Sequence, residues 1–156
     1  MNHHITEELA ASHQYLAAAA RLDETGLRGM GRWMLNQSDE ERQHAMRFLG
    51  HIHARHGTVR LEQIPAPAIP QDGAVAIFQD ALRLEETTTR RIDALHASAT
   101  KAGDVALRIF LDAFIQEQVQ EEDVLRTILD RFHLAGDDHA ALLMLDQELG
   151  ARTKAA

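Results

Sequence analysis

The chain has 156 residues, a formal net charge of -8 and 45% hydrophobic residues, values typical of one compact globular domain. It contains no cysteine, which excludes disulfides, thiolate catalysis and cysteine-ligated zinc or iron–sulfur sites. The negative charge argues against nucleic acid or an anionic membrane as the main partner. The sequence has no apolar run long enough to span a membrane, and its N-terminus is too polar for a signal peptide. We therefore expect a cytoplasmic protein.

Apolar periodicity and the positions of glycine and proline predict five helices and one long connection. All three prolines lie in that connection, residues 58–72. Gly103 separates the third helix from the fourth, and Asp137 or Asp138 is expected to cap the fifth. The predicted helices, named α1 to α5 in chain order, span residues 5–24, 31–56, 74–101, 104–132 and 137–149.

The lengths of these elements predict an all-α fold. Four long helices joined by two short turns and one long crossover, between α2 and α3, form a four-helix bundle. The fifth helix is a short C-terminal addition. We therefore expect a single domain over residues 1–156, in which the bundle occupies residues 1–133.

The apolar face of each long helix is interrupted by acidic or other polar side chains. On α2, Glu41 and His44 are three residues apart and share a face with Met34, Phe48 and Ile52. A carboxylate on such a face costs several kcal/mol to bury unless it is paired or bound to metal. The corresponding interruptions on the other helices are Glu8 on α1, Glu85 on α3, and Gln118 and Glu121 on α4.

The spacing of these acids allows them to meet at one level of the bundle. Glu41 lies 33 residues after Glu8, and Glu121 lies 36 residues after Glu85, so the two helix pairs have nearly equal separations. Two divalent metal ions would compensate four carboxylates and one imidazole in a core. Glutamate and histidine without thiolate suit iron, manganese or zinc. Glu41 is placed to bridge two ions, which would let both reduce one dioxygen molecule.

In this order and spacing, the residues resemble the non-haem bacterial ferritins over nearly the whole chain. The resemblance implies a hollow homo-oligomeric shell of twenty-four subunits that oxidises Fe(II) with dioxygen or peroxide and stores ferric mineral. It also implies the ligands of a di-iron centre. Glu8, Glu41 and His44 would hold the first iron. Glu41, Glu85 and Glu121 would hold the second, with Gln118 supporting it by hydrogen bonding.

Two further features follow from the resemblance. Tyr15 falls where the family has a tyrosine beside the di-iron centre, although a core tyrosine with a hydrogen-bond partner is the alternative. Arg42 stands where bacterioferritins have a haem-ligating methionine, and Glu121 stands where they have a histidine. Both differences argue against bacterioferritin, so no haem is expected.

Some bacterial ferritins carry a third iron site beside the pair. Glu40, Glu117 and Glu121 would be its ligands here, but Gln120 stands where another acid is expected. We therefore predict that the third site is weak or missing.

Two other functions fit the same helices. One is a di-iron or di-manganese oxidase or oxygenase that acts on a small substrate and stores nothing. The other is a structural helical protein whose inner glutamates are hydrogen-bonded without metal. The apolar residues of α5 at positions 142–145 and 149 favour the storage shell, because burial in a subunit contact explains them.

Overall fold

The structure is a computed structural model that describes residues 1–151, over which the chain forms five α-helices. Asp138 caps the fifth helix, as predicted, because its carboxylate accepts a 2.8 Å hydrogen bond from the Ala140 N–H. The prediction of an all-helical chain is therefore confirmed, with helix bounds that shift by up to three residues. The helices are α1 Asn2–Glu24, α2 Arg28–Ala54, α3 Ala74–Ala102, α4 Val105–Ala135 and α5 His139–Ala151.

The chain divides into two compact units. The first unit comprises Met1–Gln71 and the residues from Asp137 onward, and the second unit is Asp72–Gly136. The expectation of a single domain over residues 1–156 stays a prediction, and residues 152–156 lie outside the described part of the chain. No helix within residues 1–151 combines the length and apolar character needed to cross a membrane.

In the first unit, α1 packs on α2 around large apolar side chains. Ile5, Tyr15 and Leu22 come from α1, and Met34 and Phe48 come from α2; each is at most 1% exposed. Full burial of one such side chain stabilises the folded state by roughly 1.5–3 kcal/mol. This core therefore holds α1 and α2 in one fixed relation.

Two side-chain amides of α1 tie down the segment that follows α2. Asn2 donates to the Thr58 carbonyl at 3.0 Å and accepts from the Arg60 N–H at 3.0 Å. Gln14 donates to the Ala68 carbonyl at 2.7 Å and accepts from the Ala68 N–H at 3.1 Å. The amides thus satisfy backbone groups in a segment that has no helix or strand to satisfy them.

The helix α5 packs on the N-terminal end of α2 through close backbone contact. Asp146 accepts a 2.8 Å hydrogen bond from the Met30 N–H, which has no acceptor within its own helix. A Cβ atom on Gly29 would overlap the carbonyl oxygen of Asp146, and one on Gly150 would lie 2.7 Å from the Cα of Gly29. Glycine at both positions therefore allows the two helices to approach this closely.

The apolar residues of α5 divide into a buried and an exposed set. Leu145 and Leu149 are 6% and 0% exposed, whereas Leu143 and Met144 are 54% and 71% exposed. The expectation that a subunit contact buries this helix is wrong for Leu145 and Leu149, because they are buried within the chain itself. For Leu143 and Met144 the subunit contact stays a prediction.

In the second unit, α3 and α4 are joined by a tight turn. Gly103 adopts a left-handed conformation with φ +69°, and Asp104 caps α4 by accepting a 3.0 Å hydrogen bond from the Leu107 N–H. The helices pack through aromatic contacts such as Phe78 and Phe132, whose ring centroids are 5.3 Å apart. The predicted separation of the two helices at Gly103 is confirmed.

Candidate metal centre

Two acids and one histidine meet in the first unit. Glu8 lies on α1, and Glu41 and His44 lie one turn apart on α2. One potential ligand atom from each of the three residues lies within 4.8 Å of the other two. The three residues are 3%, 2% and 5% exposed, respectively. His44 Nδ1 is 3.3 Å from Glu41 Oε2. We call these three residues the triad.

A reciprocal pair of serines fixes the register of α1 against α2 next to the triad. Ser12 Oγ donates to the Ser38 carbonyl at 2.7 Å, and Ser38 Oγ donates to the Ser12 carbonyl at 2.8 Å. Ser12 lies one turn after Glu8, and Ser38 lies one turn before Glu41. The two helices are thus tied together one turn from their ligand residues, which places Glu8 close to Glu41.

The donor atoms of the triad fit a divalent transition-metal ion. Carboxylate oxygen and imidazole nitrogen are ordinary ligands of iron, manganese and zinc. An ion between the residues would also offset the cost of keeping two carboxylates out of water. The structure therefore brings together the three residues assigned to the first iron, while their role in binding metal stays a prediction.

A second buried polar pair lies between α3 and α4. Gln118 Nε2 donates to Glu85 Oε2 at 3.0 Å and lies 3.3 Å from the Glu85 carbonyl oxygen. Glu85 is 1% exposed and Gln118 is 2% exposed. The amide therefore orients a buried carboxylate within the second unit. The assignment of both residues to a second iron stays a prediction.

The remaining predicted site residues differ in burial. Tyr15 is 1% exposed, which fits the core role given as its alternative, and its redox role stays a prediction. Glu40, Glu117 and Glu121 are each only partly buried. Their metal-binding roles also stay predictions.

The sequence pattern did not single out the polar residues around Gln118. Thr89 Oγ1 lies 3.4 Å from Gln118 Nε2 and donates a 2.6 Å hydrogen bond to Glu122 Oε1. Helical spacing was the available signal, because Thr89 follows Glu85 by four residues and Glu122 follows Gln118 by four.

The ionisation of Glu122 is set by these neighbours. Burial raises the pKa of the Glu122 carboxyl group, but hydrogen bonds from Thr89 and Arg126 and the charges of Arg126 and Arg90 outweigh it. Together they hold the pKa of Glu122 below its usual value. Glu122 is therefore a carboxylate at neutral pH and can only accept hydrogen bonds.

Comparison with known proteins identifies the class. Residues 1–135 match the ferritin-like domain of the ferritin family, and the chain belongs to this family. A bacterial non-heme ferritin of Staphylococcus aureus is 33% identical over 153 residues, which cover 98% of this chain and 92% of the relative. The ferritin of the same description from Staphylococcus haemolyticus shows the same identity and coverage.

Solved structures extend the likeness to three dimensions. An open pore ferritin from the hyperthermophilic archaeon Archaeoglobus fulgidus has a TM-score of 0.96 and 35% identity, covering 97% of this chain and 94% of that chain. A humanized archaeal ferritin has a TM-score of 0.96 at 34% identity, covering 98% of this chain and 94% of that chain. The predicted fold class, a ferritin-like four-helix bundle with a short fifth helix, is confirmed. Membership of the family supports iron storage as the function.

Proposed function

We propose that the protein oxidises Fe(II) to Fe(III) at a di-iron centre and keeps the ferric product as mineral inside a homo-oligomeric shell. The observation that carries the proposal is the buried triad of Glu8, Glu41 and His44 in a chain of the ferritin family. Two carboxylates buried this close together are costly in a helix pair that only serves structure. They are expected in a site that has to hold cations within a protein core.

In the proposed centre the triad holds the first iron. Glu8 and His44 would each supply one ligand atom, and Glu41 would supply carboxylate oxygen as the bridging ligand. Bound ferrous iron supplies the electrons of the reaction, and the anionic oxygens of the chain stabilise the higher charge of the ferric product.

The proposed second iron position uses residues of α3 and α4. By the family resemblance, Glu85 and Glu121 would supply carboxylate oxygens to it, and Glu41 would be the bridging ligand. Gln118 supports this position by its 3.0 Å hydrogen bond to Glu85 Oε2, which orients the Glu85 carboxylate.

The proposed reaction balances with either oxidant. Two Fe(II) ions lose one electron each, and one dioxygen molecule takes up both electrons and two protons to give hydrogen peroxide. With peroxide as the oxidant, two electrons and two protons reduce it to two water molecules. The contribution of the chain is to hold two ferrous ions side by side, so that both electrons reach one oxidant.

Three further features of the proposed centre derive from the family resemblance. Tyr15 would act as a redox partner beside the iron pair. A third iron position near Glu40 and Glu117 would be weak or missing, because Gln120 replaces an acid there. No haem is expected, because Arg42 replaces the haem-ligating methionine of bacterioferritins.

The proposed assembly is a shell of twenty-four copies in the cytoplasm. Leu143 and Met144 on α5 are 54% and 71% exposed in the single chain, which suits residues that become covered on assembly. Ferrous iron and dioxygen or peroxide are the proposed small-molecule partners.

Iron retention tests storage directly. Ferrous salt is added aerobically, and the iron per chain is measured in the size-exclusion peak of the protein. Far more than two irons per chain in a very large particle would support the storage shell. About two irons per chain in a small oligomer would contradict storage and favour the alternative, a di-iron or di-manganese oxidase or oxygenase built on the same helices.

A pair of variants tests the bridging role of Glu41. Glu41→Ala is expected to abolish rapid Fe(II) oxidation, followed by stopped-flow absorbance of the ferric product, while assembly remains intact. Asp39→Ala is the matched control, since Asp39 is an exposed acid on the same helix. Oxidation by Glu41→Ala at the wild-type rate would contradict the bridging role.

A further inference from the structure

The hydrogen bonds of Gln118 extend beyond Glu85 to a hydroxyl group. Thr89 Oγ1 lies 3.4 Å from Gln118 Nε2 and 2.6 Å from Glu122 Oε1. A hydroxyl group has one hydrogen to donate, and the short contact directs the Thr89 hydrogen to Glu122 Oε1. Thr89 therefore donates to Glu122 and accepts from Gln118.

This direction of donation selects one orientation of the Gln118 amide. The NH₂ group of Gln118 has to face both Thr89 and Glu85, since both present acceptor atoms to it. An amide rotated by half a turn would set its carbonyl oxygen against the Glu85 carboxylate and against an oxygen of Thr89 that has no hydrogen left to give. Thr89 is thus a second determinant of the amide orientation, independent of Glu85.

Arg126 forms the last two hydrogen bonds of this network. Arg126 donates to Glu122 Oε2 at 2.7 Å and to Glu86 Oε1 at 2.9 Å. Gln118, Glu122 and Arg126 follow one another at four-residue intervals on α4, so they line one face of that helix. The network therefore begins at Glu85 and ends at its neighbour Glu86 on α3, and it holds Glu122 from both sides.

We propose that Thr89 and Glu122 are positioning residues that fix the Gln118 amide and, through it, the Glu85 carboxylate for the second metal position. The inference rests on the proposed di-iron centre and adds to it two residues outside the predicted ligand set. Thr89 does not touch the metal. It acts by keeping Gln118 from rotating when Glu85 turns an oxygen toward an incoming ion.

A purely structural role for this network makes a different prediction. If the hydrogen bonds served only to join α3 to α4, then breaking one would lower the stability of the metal-free protein and leave metal affinity unchanged. If they position Glu85, then breaking one weakens one metal-binding step selectively. Residues that orient a metal ligand through a hydrogen bond change metal affinity by roughly 10–100-fold when they are replaced.

The experiment titrates the assembled protein with Co(II), which is stable in air, and follows the heat of binding and the Co(II) absorption spectrum. Thr89→Val removes the hydroxyl group and keeps the size of the side chain, and Thr89→Ser restores the hydroxyl group. Thr100→Val is the matched control, because the Thr100 hydroxyl lies on the same helix and donates to the His96 carbonyl. Thermal unfolding of each metal-free variant accompanies the titration.

The wild type is expected to bind two Co(II) ions per chain. Thr89→Val should weaken the second step roughly 10-fold, leave the first step unchanged and alter the spectrum of the second ion. Thr89→Ser and Thr100→Val should bind both ions as the wild type does. Unchanged binding by Thr89→Val, or equal weakening by Thr89→Ser, would overturn the inference while leaving the di-iron centre in place. A wild type that binds one Co(II) per chain would instead overturn the di-iron centre itself, and the inference with it.

Discussion

Replacing Glu41 of the triad by glutamine should change the stability of the protein in opposite directions without and with a bound metal ion. In the metal-free protein the buried ligand oxygens of Glu8 and Glu41 lie within 4.8 Å of each other. Two unit negative charges at that separation repel by about 3 kcal/mol at an effective dielectric constant of ~20. His44 Nδ1 lies 3.3 Å from Glu41 Oε2, beside the two carboxylates. Glu41→Gln removes one charge and keeps the side-chain size, so the metal-free variant should be more stable than the wild type.

The stabilities of the metal-free and Co(II)-bound proteins can be compared through their melting temperatures. A gain of ~1–3 kcal/mol raises the melting temperature of a chain of this size by roughly 2–12 °C. Co(II) at one hundred times its dissociation constant stabilises the wild type by about 2.7 kcal/mol, and so raises its melting temperature by roughly 5–11 °C. Glu41→Gln should gain little from Co(II), because a neutral amide is a poor substitute for the carboxylate ligand proposed there.

Differential scanning calorimetry in EDTA and then in excess Co(II) measures both effects. Glu41→Gln should melt above the wild type in EDTA and lose that advantage in Co(II). Asp39→Asn, an exposed acid on the same helix, should follow the wild type in both conditions. A Glu41→Gln variant that melts below the wild type in EDTA, or that gains as much from Co(II), would refute the assignment of the triad as a metal-binding site.

Other predictions do not depend on the triad. In chemical denaturation, Gly50→Ala should stabilise the protein by up to about 1 kcal/mol, because nothing lies within 4 Å of the added Cβ. Gly29→Ala, in the same helix, should destabilise by about 1–3 kcal/mol, because its Cβ would overlap the Asp146 carbonyl, and equal effects of the two variants would contradict this. Deletion of the residues after Gly136 should impair assembly, measured by native mass spectrometry, more than Fe(II) oxidation; normal assembly and mineral retention would count against that role of α5. Glu122 should stabilise the metal-free protein relative to Glu122→Gln. This contribution should be complete above pH 4.5, the usual pKa of the group, and should vanish as the pH falls through its lower folded-state pKa.

Glycine shows what the sequence could and could not predict about the fold. The periodic apolar faces predicted five helices because each face repeats along the chain and needs no knowledge of distant residues. Gly29, by contrast, lies before the predicted start of α2 at residue 31, although the helix begins at Arg28. Its presence is explained by Asp146 and Gly150 of α5, more than one hundred residues away. A contact of that kind leaves no periodic signal, so the start of α2 and the packing of α5 were not predictable from local pattern.

The same distinction applies to the candidate site. The burial of Glu41 and His44 was predictable, because three-residue spacing places them on the apolar face of one helix. The closeness of Glu8 depends on the register of α1 against α2, which the hydrogen bonds of Ser12 and Ser38 secure. For Thr89 and Glu122 the four-residue spacing from Glu85 and Gln118 was a weak signal, since hydroxyl and acidic residues on a partly exposed helix face are common. Their importance follows only from the direction of their hydrogen bonds.

The family match and the triad support different parts of the proposed chemistry. One fold can carry many functions, so the family match over residues 1–135 does not establish that this chain has an oxidation site. The triad, considered alone, identifies a place for a cation but neither the metal nor the fate of its product. Together they support the proposal, because the ferritin family supports iron storage and the triad groups three residues that could hold a metal ion. Replacing Glu41 examines the site, whereas iron retention examines the cargo, so the two parts of the proposal can fail separately.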